Sequence, residues 1–161
     1  MKHVKATHKE FFSHMASSIA KNKRQIISVS HTKKEPGFAY TVGNQEKQLP
    51  ELLLIGTFDT ESVCLILHQL SEKMLETKQP FLDDSLVNLG GTLSMKIYDA
   101  IDTAHSKYTV QAGQFYCNED YQVQQVVVPD QNGRWPDDPQ CHKNFRVPLL
   151  RDSSNADKRA G

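Results

Sequence analysis

No stretch of this 161-residue chain approaches the roughly 20 consecutive apolar residues that a membrane-crossing helix needs. The opening Met1-Lys-His-Val-Lys-Ala-Thr-His-Lys-Glu10 is basic but lacks the apolar core of a signal peptide. Cysteine is scarce: Cys64, Cys117 and Cys141 are odd in number, far apart and never spaced Cys-x-x-Cys. That distribution excludes a disulfide framework and predicts free thiols in a reducing compartment, hence a cytoplasmic protein with no membrane partner. Charge of one sign is also missing, since 19 basic residues balance 19 acidic ones. Proteins that hold the phosphate backbone show a basic excess or stripe, so no nucleic-acid partner is expected. The short runs at Lys21–Arg24 and Lys33–Lys34 suit a helix end and a solvated loop.

The common catalytic and cofactor signatures are absent as well. There is no Gly-x-Gly-x-x-Gly following a strand, no Gly-Lys-Ser/Thr and no Gly-x-Ser-x-Gly elbow, and the cofactor is unknown from the sequence. Seven histidines raise the question of a metal. His3, His8 and His14 fall five and six residues apart, which does not place them on one helical face. His31, His68 and His105 stand alone, and Cys141-His142 has no further ligands nearby. An enzyme is therefore disfavoured.

What is present is a globular composition, 38% hydrophobic and 24% charged. A chain of this length suits a single domain, expected over residues 1–150, with residues 151–161 as a loose polar tail. Thr7 and Glu10 have capping-box spacing and open a helix predicted to run to Lys21, with Phe12, Met15, Ala16 and Ile19 on one face. Gln25–Ser30 and Phe38–Val42 are predicted strands joined by the polar loop His31–Gly37. Gly43-Asn44 reads as a turn before Pro50–Gly56, whose near-continuous apolar run predicts a central strand. Asp59 caps a long helix from Thr60 to Lys78, carrying Val63, Ile66, Leu67, Leu70 and Met74. A hairpin follows, Leu86–Leu89 and Thr92–Tyr98 about Gly90-Gly91, with Leu93, Met95 and Ile97 alternating. Asp102 to Tyr116 reads as a helix and Tyr121 to Val128 as a last strand.

Two features stand out as candidate sites. In Phe38-Ala-Tyr-Thr-Val-Gly43, Tyr40 offers an amphipathic ring, Thr41 faces the other way, and Gly43 permits a backbone few residues adopt. Glu51 then opens a strand that is otherwise apolar, where a charge needs a partner or a wet pocket. In Gln125-Val-Val-Val-Pro-Asp130, Gln125 shares an apolar face with Tyr121, Val123 and Val127, so its amide must find a partner in backbone, a ligand or Glu51.

These motifs resemble the bacterial family described as domain of unknown function 4262. The likeness lies in Phe38 to Gly43, in Pro50-Glu-Leu52 and in Gln125 to Asp130, and extends over roughly Gln25 to Pro139. The family usually carries a hydrophobic residue after the motif glycine, where this chain has Asn44, and often an aromatic at the strand end, where it has Val128. A more distant likeness, in element order and a Thr-x-Gly turn, is to the suppressor-of-fused fold of some toxin-immunity proteins. Together the residues predict an α+β domain: a mostly antiparallel sheet of five or six strands with two or three packed helices. Tyr40, Thr41, Glu51 and Gln125 are the expected site for a small polar ligand. The alternative is a protein-interaction module of the conflict or immunity type, contacting a toxin or effector through the loops His31–Gly37 and Asp130–Pro139.

Overall fold

In a computed structural model, which describes residues 3–56, 58–91 and 94–151, the chain forms one six-stranded sheet flanked by helices on both faces. The strands are β1 (Gln25–Val29), β2 (Phe38–Val42), β3 (Glu51–Ile55), β4 (Ser85–Asn88), β5 (Ser94–Asp99) and β6 (Val123–Val127). Their spatial order is β1-β2-β3-β6-β5-β4. Four neighbouring pairs are antiparallel, and β3–β6 at the centre is parallel. The expected α+β class and the central position of β3 both hold. All five residues of β3 and of β6 are buried, as befits strands covered on both faces, although β6 carries two glutamines, Gln124 and Gln125.

Helix α2 (Thr60–Thr77) covers one face and sets Val63, Leu67, Leu70 and Met74 against Ala39, Leu52, Leu54, Met95, Ile97 and Val126. Asp59 caps it, its carboxylate accepting from the Ser62 amide at 3.1 Å. The other face packs Tyr40, Val42, Leu53, Ile55 and Val123 against Met15 and Ile19 of α1 (His3–Asn22) and against Ala104, Tyr108 and Ala112. Helix α1 was expected beside α2 or on the sheet edge; instead it lies across the sheet from α2.

Four local expectations are corrected. Helix α1 begins at His3, so Thr7 lies inside it rather than at its cap. The turn after β2 closes as a 3-10 helix, Asn44–Lys47. The predicted helix from Asp102 to Tyr116 is two pieces, a π-helical turn at Ala104–Tyr108 and α3 at Val110–Tyr116. Thr109 divides them: its hydroxyl is buried, bonds the Ala104 carbonyl at 3.2 Å and meets the Tyr121 hydroxyl at 2.8 Å. The last strand starts at Val123, two residues later than read, and stops before Pro129. Thr92, Leu93 and the tail beyond Arg151 lie outside the described residues. Cys64 is half-buried, Cys117 exposed and Cys141 buried, and all three are free thiols.

Because β3 is hydrogen-bonded on both sides and buried on both faces, the amides of Leu53 and Leu54 should be among the slowest in the protein to exchange with deuterium. Exchange there as fast as in the edge strand β4 would contradict the strand order.

Candidate functional site

The sequence-predicted residues occupy the interior of the sheet. Tyr40, Thr41, Glu51 and Gln125 are at most 1% exposed. Strand pairing sets Tyr40 opposite Leu53, and Leu53 opposite Gln125, so Tyr40 and Gln125 share a face. Their polar ends nevertheless go to different partners. The Tyr40 hydroxyl accepts the Gln111 amide at 3.2 Å, at the start of α3. The Gln125 amide nitrogen donates to the Pro148 carbonyl at 2.8 Å, and its oxygen accepts the Leu150 amide at 2.7 Å. Gln125 thereby fastens the segment at 147–150 over this face of the sheet.

Thr41 and Glu51 do meet. The β2–β3 ladder stops at Tyr40–Leu53, and beyond it the Leu52 amide donates to Thr41 Oγ1 at 2.9 Å. The Thr41 hydroxyl donates in turn to Glu51 Oε1 at 2.7 Å. Four further neutral donors complete the shell: Tyr116 Oη at 2.5 Å and the amides of Gln45, Gly43 and Asn44 at 3.0, 3.2 and 3.3 Å. Three successive amides can converge because Gly43 adopts φ 124°; a Cβ there would also lie 2.8 Å from the Lys23 carbonyl. Burial pushes the Glu51 carboxyl above its ordinary range, while the bonds from Tyr116, Thr41, Gln45 and Asn44 pull the other way. Burial and the adjacent Glu51 charge raise the Tyr116 phenol.

The polar chain continues through residues that sequence reading did not single out. Asn44 shares its side-chain amide among Thr41 Oγ1, the Pro50 carbonyl and Ser71 Oγ at 3.0–3.3 Å. Its oxygen accepts Arg24 Nε at 3.2 Å. Arg24, only 3% exposed, also meets His68 Nδ1 at 3.1 Å and Glu72 Oε1 at 3.3 Å. Burial and the Arg24 charge lower the His68 pKa. The one hint in the sequence was Asn44 itself, a polar residue where the family pattern is hydrophobic.

A different part of the molecule offers space. At the C-terminal end of β3 a cavity of about 300 Å³ opens between the end of β1, the start of β2 and the first turn of α2. Ser28, Ser30, His31 and Thr60 supply its polar lining, and it contains no Lys, Arg, Asp or Glu. A second cavity of about 300 Å³ adjoins it, lined by Ile66, Val128, Pro129 and Phe145. Leu54, Phe58 and Val63 line both, so the two form one groove with Phe58 as the partition. The Phe58 ring packs on Phe145, centroids 5.6 Å apart, and over Gly56, where a Cβ would sit 2.2 Å from the ring. The one carboxylate in the lining, Asp130, is consumed by the amides of Asn132, Arg134 and His142 at 2.8–3.0 Å. The bonds from His142 and Arg134 hold it below the usual carboxylate range. The position has a readable signal, a buried strand running through Gly56 into the helix cap Asp59, although its aromatic wall comes from the irregular segment near Phe145. Among the described residues, no group of three or more His, Cys, Asp or Glu is placed to hold a metal ion, and no helix is long and apolar enough to cross a membrane.

Glu51→Gln places an NH₂ group among donors and leaves at least one buried group without a partner, so unfolding stability in urea should fall by about 3 kcal/mol. A change within about 0.5 kcal/mol, typical of an uninvolved surface site, would contradict this role. His68 gives a pH dependence of defined sign. Its pKa is lowered in the fold, so the unfolded chain binds more protons as pH drops below the ordinary histidine value of 6.5. Its contribution is fully present above that value and is lost as pH falls through the folded pKa. The melting temperature should therefore decline between pH 7.5 and 5 more steeply in the wild type than in His68→Gln, whose amide oxygen can still accept from Arg24. Parallel curves would rule it out.

Comparison with known proteins agrees with the motif reading. No curated protein and no solved structure matches the chain, so the likeness to the suppressor-of-fused fold rests on element order and a short turn alone. The model of the family Domain of unknown function (DUF4262) matches residues 18–142, from the end of α1 through the loop after β6, and the chain belongs to that family.

Proposed function

We propose that this domain binds a small, uncharged, amphipathic molecule in the groove around Phe58. The observation that carries the reading is the lining: two adjoining cavities share Leu54, Phe58 and Val63, one with hydroxyl and imidazole groups and the other almost wholly apolar. A ligand with a hydrogen-bonding end and an apolar body matches both halves. A charged ligand would lose hydration with no free opposite charge in the lining to replace it. The location supports the same reading. The groove lies at the carboxyl end of the parallel pair β3–β6 and beside the first turn of α2, where open α/β sheets commonly take ligands.

The reading moves the ligand away from Tyr40, Thr41, Glu51 and Gln125, whose polar ends are already bonded within the chain. It keeps both loops of the interaction alternative, because His31 and Gly37 border one half of the groove, and Asp130 and Gln131 the other. No catalytic group is assigned to the groove.

The test is a fragment screen followed by amide chemical shifts. Neutral fragments should move the signals of Leu54, Phe58, Val63 and Val128 together. Ile66→Trp, which fills the apolar half from a half-buried position on α2, should weaken binding by about tenfold or more, equal to about 1.4 kcal/mol. Fragments that bind equally well to Ile66→Trp, or a clear preference for anions or cations, would overturn the proposal. Shifts produced only by a folded protein partner would favour the interaction alternative.

A further inference from the structure

The groove around Phe58 narrows at its middle. Its two cavities adjoin without merging, and the residues common to both, Leu54, Phe58 and Val63, stand where they meet. All three are apolar. The hydroxyl and imidazole groups of Ser28, Ser30, His31 and Thr60 line one cavity alone, so the passage itself offers a ligand no hydrogen-bonding side chain. The three walls are not equivalent. Leu54 lies within β3 and Val63 within α2, 1% and 6% exposed, and both belong to the packed core of that face. Phe58 is half-buried and stands in the connection between strand and helix. Its ring has a built seat all the same. A Cβ on Gly56 would lie 2.2 Å from Cε2 and 2.8 Å from Cζ, so a residue without a side chain is needed beneath the ring. Phe145 backs the ring, centroids 5.6 Å apart and tilted by 52°.

We infer, resting on the reading that this groove takes a neutral amphipathic molecule, that Phe58 selects the shape of that ligand. It admits an unbranched apolar chain with one hydrogen-bonding end and rejects compounds that carry a ring or branch beside that end. Either cavity alone, at about 300 Å³, is at the small end of ligand pockets, so a molecule of ordinary size has to pass the ring. A chain crosses as a file of methylenes between Leu54, Phe58 and Val63, with its polar end among the hydroxyls. A polar group in the passage would lose its water and find no partner. A broad group there would have to force the Phe58 ring off Gly56 and Phe145, and extra atoms driven into packed space cost more than their added contact returns.

Two neutral probes separate breadth from hydrophobicity. n-Octanol and cyclohexylethanol have the same number of carbons and one primary hydroxyl, but the second is broad close to its polar end. Dissociation constants read from the amide shifts of Leu54 and Val63 in the full chain should favour n-octanol by about tenfold or more. Phe58→Ala should bring the two alcohols within about threefold of each other, chiefly by admitting the broad one. Phe58→Leu keeps an apolar side chain at the position, which protects folding, and should give an intermediate ratio. A ring that only supported the fold would weaken both alcohols alike and leave their ratio unchanged. Equal binding of both alcohols by the wild type, or a ratio that survives both substitutions, overturns selection by Phe58 and leaves the groove as the binding site. If neither alcohol moves Leu54 and Val63, the groove reading itself fails, and this inference with it.

Discussion

The structure depends on one carboxylate buried without a cation. Glu51 is fully removed from water, and an uncompensated charge in that position would cost several kcal/mol. The chain meets that cost with five neutral donors drawn from β2, the turn after it and α3. Each donor is a tether. The Gly43–Gln45 amides hold the β2–β3 connection in its 3-10 form, Thr41 terminates the ladder, and the Tyr116 phenol ties α3 to the sheet face at the start of β3. Thr41 and Asn44 extend the ties to Ser71 on the opposite face and to Arg24 behind α1. One acidic side chain thus fixes helices on both faces against the same strand end.

Strand β3 consequently has two unlike ends. Glu51 sits at its first residue, in a tightly bonded polar cluster. Gly56 follows its last residue, about 17 Å away at the rise of an extended chain, beside the cavities around Phe58. Helix α2 spans the same distance, lining the groove with Val63 and Ile66 and contributing His68, Ser71 and Glu72 to the polar chain. Rigidity at one end positions open space at the other. This division suits a binding domain, whose side chains must be held in place before a ligand arrives.

Much of the architecture was legible because it rests on local pattern. The apolar run of β3 and the spacing of Val63, Leu67, Leu70 and Met74 specified a central strand and its covering helix. Thr109 was misread because a buried threonine hydroxyl, bonded to Ala104 and Tyr121, interrupts a run whose apolar spacing still looks helical. The candidate site was half legible. Glu51 drew attention as a charge in an apolar strand, and Gln125 as an amide on an apolar face. Sequence spacing could not say that Glu51 would be closed in by Tyr116, 65 residues later, or Gln125 by the backbone of Pro148 and Leu150. The groove was hidden for the same reason: Phe58 and Phe145 meet only in the fold.

The claim that binding and the buried acid occupy opposite ends of β3 is tested most directly by a crystal structure of the protein with a fragment bound. The account predicts density between Phe58 and Phe145 or beside Ser28 and His31, with the five bonds to Glu51 unchanged. Density at Glu51 that displaces the Tyr116 or Thr41 hydroxyl would contradict it and make the buried acid the ligand anchor.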